Sequence, residues 1–278
     1  MRGRWLHSGW MRHGWLHGGW LHDGWLRAVA LAALLCALVL GAGYGIAGPL
    51  GLSAAVGLIL GSGLIVFLYS ERTVLAALRA RPVGEVERPE LYRLVRDLST
   101  AARLPVPRLY VSPAVQPNVL AVGRRSRSVS VCCTEGLLRS LTGAELRAVL
   151  AHELAHVSRR DIAVFSWCAG FAALLALVRL RPLAALVLRC SAPMSREYGA
   201  DASGALMTGD PMALASALRK IDRCAASLPL PPSGSLAASG HLMIAHPFPD
   251  EGYGRLFMTH PPVGERVRRL EALAGYPR

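Results

Sequence analysis

The sequence predicts an α+β fold: a mainly helical domain with a small β-sheet, attached to an N-terminal transmembrane helical hairpin. Three observations carry this. Two uncharged runs, residues 28–47 and 50–70, are parted by Gly48-Pro49. A capping-box sequence, Thr142-Gly143-Ala144-Glu145, opens a run of good helix formers that holds His152, Glu153 and His156. Between these regions lie short alternating stretches around residues 107–113, 118–123 and 128–132, bounded by Pro, Gly and Asn, which read as strands. The expected organisation is a tail over 1–26, a membrane hairpin over 27–71, and one domain over 72–278.

Composition agrees. Apolar residues make up 53% of the 278, and the net charge of +13 is carried almost wholly by arginine, with Lys220 the one lysine. A basic balance suits nucleic acid or an anionic membrane surface. No nucleic-acid motif is present and long apolar runs are, so the charge reads as membrane-facing and the chain as one without a nucleic-acid partner. The six cysteines show no C-x-x-C spacing and form no disulfide framework, which fits a domain on the reducing, cytoplasmic side.

In chain order, Trp5, Trp10, Trp15, Trp20 and Trp25 recur every fifth residue, accompanied by His7, His13, His17 and His22. That period matches neither a helix nor a strand face, so disorder or interfacial association is expected. Each apolar run that follows would be about 30 Å long as a helix, enough to span the hydrocarbon core. The pair is too long for a signal peptide. Arg2, Arg4, Arg12 and Arg27 precede the pair, Arg72, Arg79 and Arg81 follow it, and the connecting loop has no basic residue. The positive-inside rule therefore puts both ends in the cytoplasm.

Residues 85–104 place Leu91, Leu94, Val95, Leu98 and Ala102 on one helical face. Arg124-Arg125-Ser126-Arg127 reads as the turn between two strands. A third uncharged run, 162–178, is at the short limit for a span and ends at Arg179, Arg181 and Pro182; the next apolar piece, 183–188, is too short to cross. Residues 162–192 are therefore expected as a short membrane-associated hairpin, partly embedded or packed against the first two spans. Asp210-Pro211 starts another amphipathic helix. Residues 228–240, rich in Pro, Ser and Gly, read as a linker, His241 and His246 as surface or core histidines, and 266–273 as a closing helix.

The chemistry concentrates in H-E-x-x-H. Two imidazoles four apart on a helix share one face and can bind one metal ion, and Glu153 beside them can take a proton from water. A third ligand is needed. Ser195-Arg196-Glu197-Tyr198-Gly199-Ala200-Asp201 supplies Glu197, with Asp201 one turn on, placed to receive the second ring N–H of a ligating histidine, most simply His152. The competing reading is two solvated helix faces.

Several motifs in order change that balance: Pro117-Asn118-Val119-Leu120-Ala121-Val122-Gly123, Thr134-Glu135-Gly136-Leu137-Leu138, the H-E-L-A-H helix, Ser195-Arg196-Glu197, Ala200-Asp201 and Thr259-His260-Pro261-Pro262. Over roughly residues 28–273 the chain resembles the HtpX-type membrane zinc proteases, relatives of the CAAX prenyl endopeptidases. The resemblance implies a gluzincin-type zinc protease domain, with one zinc held by His152, His156 and Glu197, Glu153 as catalytic base, Asn118 near the substrate cleft, and His260 donating to the developing oxyanion with Arg266 near it. It implies a multi-pass cell-membrane protein that cleaves polypeptides, among them damaged or misassembled membrane proteins. In this reading the sheet offers an edge strand to which an extended substrate adds.

The family commonly carries a longer insertion at 162–192. The resemblance starts only near residue 27, so a misplaced translation start is a competing account of the tryptophan repeat. Two functional alternatives stand beside it: a non-enzymatic membrane adaptor that retains the fold, and a prenyl-protein protease. Glu145, Arg147, Arg159 and Arg160 around the motif argue against a site inside the bilayer.

Overall fold

The computed structural model describes residues 20–125, 128–159, 161–177, 179–191, 194–228, 239–248 and 260–275. Most of the tryptophan repeat, the second half of the 124–127 turn, most of the 228–240 linker and Thr259 lie outside these.

The first helix, α1 (Trp20–Ala77), starts inside the repeat, so residues 20–26 are helical rather than disordered. Once a long apolar helix is nucleated, extending it costs little per residue. The helix breaks at Ala47 (φ −138°, ψ 22°) and Gly48 (φ 58°, ψ −138°) and restarts at Pro49. Glycine accepts the positive φ, and proline is tolerated in a first helical turn. The two halves fold back on each other: a Cβ on Gly51 would strike the Gly43 carbonyl, and one on Gly43 would strike Ala55. Small residues at such a crossing let the backbones meet. Leu38, Ile46, Leu50, Leu58, Leu60 and Leu64 point outward and are exposed.

The far end of α1 is built into the domain. Val74, Leu75 and Leu78 pack with Leu120, Val122 and Cys132 of the sheet. Buried Glu71 accepts from Ser130 Oγ at 2.7 Å and from Arg108 at 2.5 Å. Among the described residues the sheet has four strands, β1 (Arg81–Pro82), β2 (Arg108–Ser112), β3 (Val119–Arg125) and β4 (Ser128–Thr134), in the order β1-β2-β4-β3. β2 and β4 are parallel; the other pairs are antiparallel.

The outer edge of β3 is partly taken. Met243 bridges Leu120, and Ile244 N–H donates to the Val119 carbonyl at 3.0 Å. Asn118 Nδ2 donates to the Ala245 carbonyl at 3.1 Å and Gln116 Nε2 to the Pro247 carbonyl at 2.9 Å. An open edge leaves backbone groups unpaired, and this strap satisfies them.

Eight further α-helices follow among the described residues: α2 (Pro89–Ala101), α3 (Glu135–Ser140), α4 (Gly143–Ser158), α5 (Asp161–Leu177), α6 (Arg181–Ser191), α7 (Met194–Thr208), α8 (Pro211–Ser227) and α9 (Val263–Leu273). α2 lays Leu91, Val95 and Leu98 into the main core. α5 and α6 form a helix pair: Ala184, Ala185 and Leu188 meet Ala172. α5 runs along the second half of α1, with Gly170 against Val66 and Ser70, and Trp167 and Phe67 with ring centroids 5.6 Å apart.

α4 begins at the expected capping box. Thr142 accepts from Glu145 N–H, and Glu145 accepts from Thr142 N–H at 2.8 Å. Glu145 also accepts from Ser216 Oγ and Lys220 Nζ, each at 2.7 Å, which ties α4 to α8. Burial disfavours its charge, but Lys220, Thr142 and Ser216 outweigh that and bring its carboxyl down to about 2 from 4.5. A folded value below the unfolded one adds stability above about pH 4.5, and that stability is lost as pH falls toward 2. Glu145→Gln is therefore expected to destabilise the protein at pH 7 by up to about 3 kcal/mol. Thermal melts in detergent should show the gap from wild type narrowing below about pH 4.5.

Candidate metal centre

The site forms where α7 lies on α4. The approach is backbone to backbone: a Cβ on Gly204 would stand 2.9 Å from the His152 nitrogen. This brings Glu197, in the first turn of α7, over the two histidines of α4. His152 Nε2 is 3.8 Å from Glu197 Oε2, and His156 Nε2 is 3.4 Å from Glu197 Oε1. All three side chains are buried, and one ligand atom from each lies within 4.8 Å of the others.

This donor set fits a metal ion. Ligands about 2.0–2.1 Å from one tetrahedral ion sit roughly 3.3 Å apart, close to the spacings seen. Glu197 Oε2 is buried and makes no aligned hydrogen bond, although His260 Nδ1 stands 3.3 Å away and Arg266 3.6 Å away. An unsatisfied buried carboxylate oxygen is costly, and a cation would satisfy it. Two imidazoles and a carboxylate are a donor set suited to zinc.

Each histidine has a carboxylate behind it, and each carboxylate has an arginine. His152 Nδ1 stands 2.9 Å from Asp201 Oδ1, as the spacing suggested. Arg266 grips Asp201 with two hydrogen bonds, at 2.8 Å and 2.7 Å, and donates a third, at 2.7 Å, to the Ile244 carbonyl of the strap. On the other side His156 Nδ1 meets Asp161 Oδ2 at 3.3 Å, and Arg196 donates to Asp161 Oδ1 at 2.5 Å.

Charge in this buried cluster is strongly steered. Burial opposes ionisation of Glu197, but His260 and His156 overcome it and hold the carboxyl well below the usual range. Asp201 is likewise brought down to about 2 against its burial, chiefly by Arg266 and then His152. Glu153 goes the other way. Burial pushes it up to about 8; Glu197 adds to the rise, while His156, Arg266 and the Ala121 N–H restrain it. A dication bound beside it would draw that value down. A carboxyl poised near neutrality can both take and return a proton.

The five residues expected at the centre, His152, Glu153, His156, Glu197 and Asp201, are brought together, and His260 joins them on the wall of the same narrow cavity. Ala121 of β3 forms one side; His241, Leu242, Met243 and Ile244 of the strap form another. Asn118 is buried outside the cavity lining, with its amide spent on Ala245 and on its own Val119 N–H. Arg266, expected near His260, stands 3.6 Å from the Glu197 oxygen that His260 Nδ1 approaches at 3.3 Å, with its guanidinium hydrogen-bonded to Asp201 and Ile244. His241 is a core histidine whose Nε2 donates to the Phe165 carbonyl at 3.1 Å. Asp161 and Arg196 were not anticipated; the signal available was Arg196 next to Glu197 and an acid just past the end of the H-E-x-x-H helix.

Comparison with known proteins agrees with this geometry. Residues 85–274 match the model of Peptidase family M48. A protein named Protease HtpX homolog from Kineococcus radiotolerans is 49% identical over 234 residues, which is 73% of this chain and 80% of that protein. One of the same name from an Arthrobacter species is 42% identical over 278 aligned residues, 89% of this chain and 96% of that protein. The crystal structure of S. mikatae Ste24p aligns with a TM-score of 0.47 at 17% identity, over 90% of this chain and 64% of that one. The matched stretch runs from the start of α2 through α9 and so takes in every side chain gathered at the metal centre; the chain belongs to peptidase family M48.

Proposed function

We propose that this chain is a membrane-bound zinc endopeptidase in which His152, His156 and Glu197 hold one zinc ion and Glu153 moves the proton. The observation that carries the reading is the convergence of three buried ligand side chains, one bearing an orphaned carboxylate oxygen, in a cavity shared with the buried Glu153 carboxyl. When bound, zinc supplies Lewis acidity toward the scissile carbonyl and a water nucleophile usable at neutral pH. Glu153 takes the water proton and hands it to the leaving amine. Asp201 fixes the ring of His152. His260, whose two ring nitrogens make no hydrogen bond, is placed to donate to the developing oxyanion. Asn118 serves the cleft indirectly, by holding the strap beside β3.

Membrane attachment follows from α1. Ala30–Leu68 is apolar, and as one helix of 39 residues it would be about 58 Å long, nearly twice the hydrocarbon thickness. The break at Ala47 and Gly48 makes it two spans with both ends on the cytoplasmic side, and α5 packs against the second. The substrates are polypeptides, among them damaged or misassembled membrane proteins, which a domain set against the bilayer would meet.

The test uses the full chain purified in detergent. About one zinc per chain and casein hydrolysis are expected; chelation should abolish hydrolysis, and added zinc should restore it. A metal-free chain that hydrolyses casein as fast as the loaded one would sink the reading.

A further inference from the structure

Asp161 is the first residue of α5 and is 1% exposed, with the Arg196 side chain also buried against it. A buried ion pair of this kind is weak evidence of stabilisation, because desolvating both charges offsets most of their attraction. Its two carboxylate oxygens do different things. Oδ1 is held by Arg196, and Oδ2 faces Nδ1 of His156. Arg159 Nε lies 3.6 Å from the same Oδ2. Phe165 completes the setting: its ring meets the His156 ring edge-on at 5.6 Å, and the Arg196 guanidinium lies over it at 5.9 Å.

We propose that Asp161 and Arg196 are positioning residues that fix His156 as a metal ligand, so that α7 places all three ligands of the centre. The inference rests on the zinc reading above. An acceptor fixed at Nδ1 keeps a proton there and leaves Nε2, 3.4 Å from Glu197, as the nitrogen that would hold the metal. The arrangement mirrors the other side, where Arg266 and Asp201 flank His152. α7 supplies Glu197 directly, Asp201 four residues later for His152, and Arg196 one residue earlier, which reaches His156 through Asp161. The relay joins α7, α5 and α4. Because α5 also lies along α1, the seat of one ligand is tied to the membrane-facing helices.

The test compares Asp161→Asn, Arg196→Met, Arg196→Lys and the double variant Asp161→Asn with Arg196→Met, each as full chain in detergent. Zinc affinity is read by chelator competition, the ligand field by the absorption of the cobalt-substituted protein, and kcat and KM separately on one peptide. Asp161→Asn and Arg196→Met are each expected to weaken zinc binding about 10- to 100-fold and to alter the cobalt spectrum. kcat should fall with KM changed less than about twofold, because neither residue lines the cavity. Arg196→Lys should recover most of the affinity. The double variant should be little worse than Asp161→Asn, since Arg196 acts through Asp161. It removes both charges of the buried Asp161–Arg196 pair together, so it carries the test if a single variant fails to fold. Folded variants with wild-type zinc affinity and an unchanged cobalt spectrum would overturn the inference alone. A wild type that takes up no zinc would overturn the proposed function, and this inference with it.

Discussion

Glu153→Gln is expected to retain about one zinc per chain and to lose turnover by about a hundred- to ten-thousand-fold, the range attributed to a positioned proton-transfer group. Glutamine keeps the shape of the side chain and an oxygen that can accept the Ala121 N–H. It cannot accept and return a proton. Stability gives an independent check. Glu153 is 2% exposed, and burial is the main cause that lifts its carboxyl to about 8, so its charged form is an electrostatic burden on the fold at higher pH. With a folded value raised above 4.5, charging this carboxyl costs stability progressively from about pH 4.5 to about pH 8. With the metal removed from both proteins, neutral glutamine should therefore melt no lower than wild type at pH 8. Zinc content, peptide hydrolysis and thermal melts on the two proteins decide the matter. A fully active variant would remove Glu153 from the mechanism, and a variant that lost its zinc would mean that the substitution had disturbed the ligands.

What the sequence made legible is what local periodicity encodes. His152 and His156 share a face because they are four apart, and the capping box of Thr142 and Glu145 marks the start of α4 because both reciprocal bonds lie within three residues. Glu197 and Asp201 could be paired with the histidines because a helix presents them one turn apart. The membrane hairpin followed from two uncharged runs and a Gly-Pro break. The remainder depends on which segments meet in space. Asp161 lies five residues beyond His156, past the end of α4, so no helical spacing links them; the chain must turn at Arg159 and start α5 before the carboxylate can face the ring. Arg266 reaches Asp201 across 65 residues. The strap on β3 joins Leu120 to Met243, and neither stretch announces the pairing, because an isolated bridge has no alternating pattern of its own. The helical start at Trp20 is a related case: the five-residue period is not helical, yet the apolar run beyond it carries the helix back into the repeat.

Glu197→Ala should fail by a different route from Glu153→Gln, and the contrast separates holding the metal from moving the proton. Glu197 is the one acidic member of the three-residue ligand cluster, and its environment keeps the carboxyl ionised. The outer partners of zinc ligands are typically worth 10- to 100-fold in affinity, so losing a direct ligand is expected to weaken binding by at least about 100-fold. The fold should persist. Arg266 loses a neighbour 3.6 Å away but keeps both hydrogen bonds to Asp201 and the one to Ile244, so its buried charge stays paired. The packing of α7 on α4 depends on Gly204 and the small residues around it rather than on the carboxylate. At trace zinc both variants should therefore be inactive, one empty and one loaded. As zinc is raised, the Glu197→Ala site fills by mass action and part of its hydrolysis returns, while Glu153→Gln stays inactive at every concentration. Titrating zinc into the two proteins, with bound metal and peptide hydrolysis followed together, gives the comparison. If Glu197→Ala kept one zinc at wild-type affinity, the third ligand would have to be reassigned, with His260, whose Nδ1 lies 3.3 Å from the Glu197 carboxylate, the side chain to examine next.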